Sequence, residues 1–87
     1  MSDLKKKFEK AAVDVKELDE RPGNDDLLKL YAFYKQSTTG DVAGDRPGIF
    51  DMVGRAKYDA WAAIKGKSKD DAMKDYVAIV ERLKKKK

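Results

Sequence analysis

Among its 87 residues the chain has no cysteine and no histidine. The first absence excludes a disulfide framework and thiolate metal sites. The second removes Ser-His-Asp triads, His zinc centres and the usual general base near neutral pH. Carboxylate or lysine chemistry stays open, but no nucleophile sits beside a base and the chain is small for an enclosed active site. The expectation is a protein without catalytic residues, metal or cofactor. Long apolar runs are also missing. Nothing approaches the ~18 residues of a membrane span, and Met1 to Lys10 lacks the apolar segment of a signal peptide. A soluble cytoplasmic protein is expected. No alternating run marks a β-strand, and there is no internal repeat.

A large net excess of either charge is missing too. Lysine and arginine number 20 against 16 acids, a formal net charge of +4. Lys84 to Lys87 supply all of it, because removing these four leaves 16 against 16. A basic balance confined to a tail points weakly to nucleic acid. Such a tail more often keeps a helix end soluble or meets the negative end of a helix dipole.

What remains is helical periodicity in one domain, residues 1–87. Leu4, Phe8, Ala11, Val15 and Leu18 form one stripe of a helix from about Lys5 to Leu18, with Ala12 widening it. Ser2 or Asp3 can cap its start, and Arg21-Pro22-Gly23 ends it. Asn24 reads as the cap of a second helix with Asp25 and Asp26 in its first turn. Leu27, Leu30, Tyr31 and Tyr34 share one face of it, while Leu28 and Phe33 lie off that face. Residues 38–50 hold three Gly and one Pro in thirteen positions, which excludes a regular element. A third helix is expected from about Met52 to Lys65, with Tyr58, Trp61 and Ile64 on its apolar side. Gly66 follows its end. Ser68 to Asp71 resembles a capping box for a fourth helix, which carries Met73, Tyr76, Val77, Val80 and Leu83. Four helices with a long second connection exclude a simple up-down-up-down array.

Tyr31 and Lys35 are four apart and share a helix face. A ring beside an ammonium can serve a planar base plus a phosphate. By pattern alone, core tyrosines at 31, 34 and 76 and solvated lysines at 16, 35 and 57 are the better reading. Asp25-Asp26 and Asp70-Asp71 are better explained as helix-start acids than as metal or acid–base pairs. Gly40 to Gly44 lacks the ending of a phosphate loop.

Tyr31-Ala-Phe-Tyr-Lys-Gln-Ser-Thr-Thr-Gly-Asp41 changes that balance. Arg46-Pro-Gly48, Gly54-Arg-Ala-Lys-Tyr-Asp-Ala-Trp61 and Lys65-Gly-Lys-Ser-Lys-Asp-Asp-Ala-Met-Lys-Asp-Tyr76 follow it in order and spacing. Together they resemble the acyl-CoA-binding protein family, the small cytosolic carriers of long-chain acyl-CoA esters. The resemblance covers almost the whole chain. It implies an all-α, four-helix up-down-down-up bundle with a long loop between helices 2 and 3. It implies a monomer that binds long-chain acyl-CoA and has transient contact with acyl-CoA-using enzymes or membranes, and no nucleic-acid binding. Tyr31, Lys35 and Lys57 would hold the nucleotide end, the lysines at the ribose 3′-phosphate and the tyrosine at the adenine region. Tyr34 joins the ligand-binding set, Tyr76 would lie along the ligand, and Lys16 near the CoA head. Leu27 and Leu28 match positions near the acyl chain. Three positions depart from the family pattern: Tyr58 is often Trp, Val53 often Lys, and Phe33 often His or another polar residue. An exposed Phe33 would add apolar surface near the site. The reading from another class is a basic helical module that binds nucleic acid or an anionic membrane surface through Lys84 to Lys87 and Lys5 to Lys7.

Overall fold

The computed structural model describes residues 3–85. The Ser2 cap and the lysines at 86 and 87 lie outside them. Helix α1 spans Asp3–Asp14, α2 Asn24–Thr38, α3 Met52–Ala62 and α4 Lys69–Lys85. No strand occurs among the described residues.

Helix ends differ from the sequence reading in physically simple ways. The first helix leaves α geometry at Asp14, tightens into a 3₁₀ turn over Val15–Glu17, and reaches Leu18 as extended chain. Gly23, not Asn24, occupies the cap position of α2, and its carbonyl accepts the Leu27 amide at 2.9 Å. The third helix stops at Ala62 rather than Lys65. There the bonding shortens to Ile64 N–H on Trp61 O and Lys65 N–H on Ala62 O, both 3.2 Å. Gly66 then turns the chain at φ +94°, where a side chain would be strained. Ser68 makes its half of the capping box, its Oγ accepting the Asp71 amide at 3.0 Å. One cap escaped the sequence reading: the Asp51 carboxylate accepts the Gly54 amide at 2.9 Å at the start of α3. A Cβ at Gly54 would overlap that carboxylate.

Cross-helix contacts give the directions. Phe8 meets Tyr76, and Asp14 at the end of α1 meets Lys84 near the end of α4, so α1 and α4 run parallel. Asp26 at the start of α2 pairs with Arg82 late in α4, while Gln36 late in α2 reaches Lys67 just before α4. These two helices are therefore antiparallel. Tyr31 faces Lys57 and Lys35 faces Trp61, so α2 and α3 run parallel. The result is an up-down-down-up four-helix bundle. Parallel neighbours cannot share a tight hairpin, which is why a long connection precedes α3.

Phe8, Ala11, Leu30, Tyr76, Ile79 and Val80 form the core, drawn from α1, α2 and α4. Helix α3 buries no residue fully. It rests on α2 and is fixed largely by polar contacts. Gln36, 1% exposed, is the centre of them. Its amide nitrogen donates to Asp41 Oδ1 at 2.8 Å and to Lys67 O at 2.7 Å, and its oxygen accepts the Trp61 indole N–H at 3.1 Å. The same indole N–H reaches Gly40 O at 2.8 Å, and Asp41 also accepts the Gly66 amide at 2.8 Å. Further along, Arg46 grips Asp59 through two bonds of 2.9 and 2.6 Å, and the Tyr58 hydroxyl donates to Gly44 O at 2.9 Å. The long loop is thereby fastened to α2, to α3 and to the turn before α4.

Two predictions test this division between core and clasp. Phe8→Ala should cost about 3–5 kcal/mol in urea unfolding, because the ring touches both Tyr34 and Tyr76. The Gly66 amide, followed by Gln36, holds the Asp41 carboxyl below its ordinary value. A depressed carboxyl stabilises the fold above its unfolded-state pKa and loses that contribution as pH falls through its folded value. Asp41→Asn should therefore lower stability at neutral pH and make the acid loss below about pH 4 shallower in pH-dependent denaturant melts.

Candidate functional site

The seam between α2 and α3 carries two reciprocal lysine–aromatic contacts. Lys57 of α3 sets its ammonium 5.3 Å from the centre of the Tyr31 ring on α2. Lys35 of α2 sets its own 5.2 Å from the centre of the Trp61 ring on α3. Both distances lie within cation–π range. The helical spacing explains the pattern: Tyr31 and Lys35 are four apart on α2, as are Lys57 and Trp61 on α3.

Neither Lys35 nor Lys57 forms an ion pair with a carboxylate among the described residues. Other lysines do. Lys67 pairs with Asp75 at 2.6 Å, and Lys10 and Lys84 share Asp14 at 2.9 and 3.0 Å. The Asp75 partner raises the Lys67 pKa, and the bond from Lys10, seconded by Lys84, lowers that of Asp14. The seam lysines are thus held by rings while their hydrogen-bonding capacity stays open for an anionic ligand.

A second aromatic group lies beside the seam, where Tyr34, one turn after Tyr31 on α2, meets α1 and α4. Phe8 and Tyr34 stack at 5.5 Å, Phe8 and Tyr76 meet edge-on at 5.1 Å, and Tyr34 lies 6.0 Å from Tyr76. Tyr76 is buried, and that burial raises the pKa of its hydroxyl. Tyr34 keeps one side open to solvent. The tyrosines at 34 and 76 therefore belong with α1 and the core, whereas Tyr31, Lys35 and Lys57 belong to the seam. Lys16 lies exposed in the 3₁₀ turn after α1, and among the described residues no hydrogen bond, ion pair or ring contact ties it to either group. Leu27 and Leu28 are half-buried in the first turn of α2, one turn before Tyr31.

Two of the departing positions take on definite roles. Phe33 packs partly buried against the core, with the Lys67 ammonium 5.7 Å from its ring centre, so it is not the exposed apolar addition anticipated. Tyr58 uses its hydroxyl to anchor the loop. Trp61 was legible only as part of an apolar face. Its second role, a platform for Lys35 held in place by Gln36, needed the fold. The lone signal in the sequence was a tryptophan at i+4 from a lysine.

A cleft of about 460 Å³ opens elsewhere, between the end of α1, the start of α2 and the end of α4. Its walls carry five acids, Asp14, Glu17, Asp19, Glu20 and Asp26, against Arg21 and Lys84, a net acidic lining that disfavours a polyanion, and none of the anticipated site residues.

Comparison with known proteins accords with this arrangement. The family pattern described as acyl CoA binding protein matches residues 5–80. Acyl-CoA-binding protein homolog 1 of Caenorhabditis elegans is 57% identical over 76 residues, covering 87% of this chain and 88% of that one. The acyl-CoA-binding protein of Brassica napus is 54% identical over 80 residues, 92% of this chain and 87% of its own. Among solved structures, the crystal structure of Oryza sativa acyl-CoA-binding protein 2 superposes with a TM-score of 0.88 at 48% identity, covering 92% of this chain and 87% of that one. With its bundle topology, its lysine–aromatic seam and a match over nearly all its length, the chain belongs to the acyl-CoA-binding protein family.

Proposed function

We propose that the chain is a monomeric, non-catalytic, cytoplasmic carrier that binds long-chain fatty acyl-CoA esters and releases them unchanged. The observation that carries this reading is the seam: two lysines from facing helices, each on an aromatic ring and neither paired with a carboxylate. In this reading Lys35 and Lys57 take the ribose 3′-phosphate, and Tyr31 takes the adenine region. Tyr34 and Tyr76 flank the ligand, and Lys16 meets the CoA head from the turn after α1. Leu27 and Leu28 receive the acyl chain beyond Tyr31.

The two halves of such a ligand contribute differently. Each charge-assisted bond to phosphate is worth roughly 1.5–3 kcal/mol. A dozen methylenes at ~0.8 kcal/mol each set an upper bound of about 10 kcal/mol before the costs of association. The tail therefore drives affinity, and the head selects CoA esters over free fatty acids. One methylene changes affinity at most about fourfold, so preference among chain lengths is graded.

Titration calorimetry should find long-chain acyl-CoA bound far more tightly than CoA or the free acid. Equal binding of the free acid would overturn the reading. Lys35→Ala and Lys57→Ala should each weaken acyl-CoA binding by at least about 1 kcal/mol, and by more at low salt. If both variants bind normally, the seam does not hold the phosphate. Incubation with acyl-CoA should liberate no free thiol, since no side chain here is placed to attack a thioester.

A further inference from the structure

The most exposed apolar surface has no task in the fold. Ile49, Phe50, Met52 and Val53 are 68, 97, 77 and 67% exposed, within five consecutive residues. Scattered exposed apolar side chains are ordinary, but a contiguous group is not. Nor is this a loose loop end. Asp51 N–H donates to Gly48 O at 3.0 Å, the Asp51 carboxylate caps Gly54, and Asp51 O accepts the Arg55 amide at 2.9 Å. The Arg46–Asp59 grip holds the preceding segment to α3. The backbone beneath the four side chains is thus pinned while the side chains stand in water.

We propose that this tip docks the protein on a lipid bilayer by inserting Ile49, Phe50, Met52 and Val53 into the interfacial region. Three observations select that occupant. The four side chains expose on the order of 500 Å², short of the ~800 Å² per partner that a stable protein interface buries, so a second copy of the chain is poorly served. The side chains also protrude from the fold. Phe50 is almost wholly clear of the fold, and a bilayer accepts such protruding side chains without a complementary groove. Finally, the one charged residue among positions 49–53 is Asp51, an acid bonded to the Gly54 amide, and Arg46 before them is engaged with Asp59, while the cations Arg55 and Lys57 lie further along α3. Attachment therefore depends on apolar burial rather than on anionic headgroups.

The location gives the docking a use, which rests on the acyl-CoA reading. With α2 and α3 parallel and Tyr31 level with Lys57, Val53 falls level with Leu27. The tip stands at the acyl end of the seam, away from Lys35 and Trp61. A docked protein would present the apolar end of its site to the membrane, where long-chain amphiphiles reside.

Sedimentation of the full chain with small phosphatidylcholine vesicles tests this. The wild type should partition onto them, and partitioning should survive about 0.5 M NaCl. The double variant Phe50→Ser/Met52→Ser should lose at least about tenfold in partitioning, with its melting temperature and its acyl-CoA affinity in vesicle-free buffer unchanged. Four results would overturn the proposal. One is failure of the wild type to bind these vesicles, and another is equal partitioning of the variant. The third is binding that needs anionic lipid and disappears in salt. The fourth is loss of acyl-CoA affinity by the variant without vesicles, which would assign the tip to the ligand groove. Self-association abolished by the variant in sedimentation velocity, without vesicle binding, would make a second copy the occupant. Failure of the acyl-CoA reading itself would appear in calorimetry alone and leave vesicle partitioning intact.

Discussion

The side-chain amide of Gln36 joins four stretches of chain that the hydrophobic core does not reach. It ties the end of α2 to Asp41 in the long loop, to Trp61 on α3 and to Lys67 before α4. Helix α3 depends on it, because that helix buries no residue fully and packs on α2 alone among the principal helix pairs. A buried amide is costly when unpaired, and here both its oxygen and its nitrogen have partners. No buried side-chain polar atom is left unpaired among the described residues. The consequence reaches the site. The indole that Gln36 orients is the platform for Lys35, and the helix it retains carries Lys57. The fold and the seam are held by two regions: apolar packing of α1, α2 and α4 holds the fold, and a polar clasp sets the geometry of the seam.

Charge is handled in the same local way. The net charge of +4 says little, since the described part of the lysine tail is partly engaged: Lys84 bonds Asp14 and lies near Glu81. Structural lysines sit with carboxylates, and the seam lysines sit with rings. That distinction bears on a carrier. A phosphate arriving at a lysine already paired with Asp would have to displace an ion pair and leave a carboxylate facing the ligand. A lysine over an aromatic face gives up at most about 0.5–1 kcal/mol of cation–π attraction at an exposed site, and its ring need not move.

Much of this was legible in the sequence because it depends on spacing. Phe8, Ala11 and Leu30 follow helical periodicity into the core, and the Gly- and Pro-rich segment after Thr38 reads directly as a crossover. Tyr31 and Lys35 share a face by periodicity, but nothing local says that α3 lies opposite. The convergence of Lys57 on them came through family resemblance, that of Trp61 only with the fold, and both are tertiary facts. The helix ends were misplaced where tertiary geometry prevails over local preference, at the 3₁₀ turn after Asp14 and at the tightened exit of α3. The polar clasp was invisible, since Gln36 and Asp41 look like ordinary surface residues and acquire their partners only from segments up to 31 positions away. The anticipated set also divides. Tyr31, Lys35 and Lys57 come together, Tyr34 and Tyr76 gather around Phe8, and Lys16 stands apart.

That division leaves the seam with two unlike ends. The seam has a polarity along its length set by the parallel run of α2 and α3. Leu27, Leu28 and Val53 stand at the N-terminal ends of both helices, and Lys35 and Trp61 stand two turns further on. An antiparallel pair would place the start of one helix beside the end of the other and mix the two characters at each end. The parallel arrangement keeps apolar residues together at one end and cationic ones at the other. The long crossover is the topological requirement for that arrangement. Its exposed apolar exit at Ile49 and Phe50 falls at the apolar end, because the loop must return to the starting level of α2 before α3 can begin.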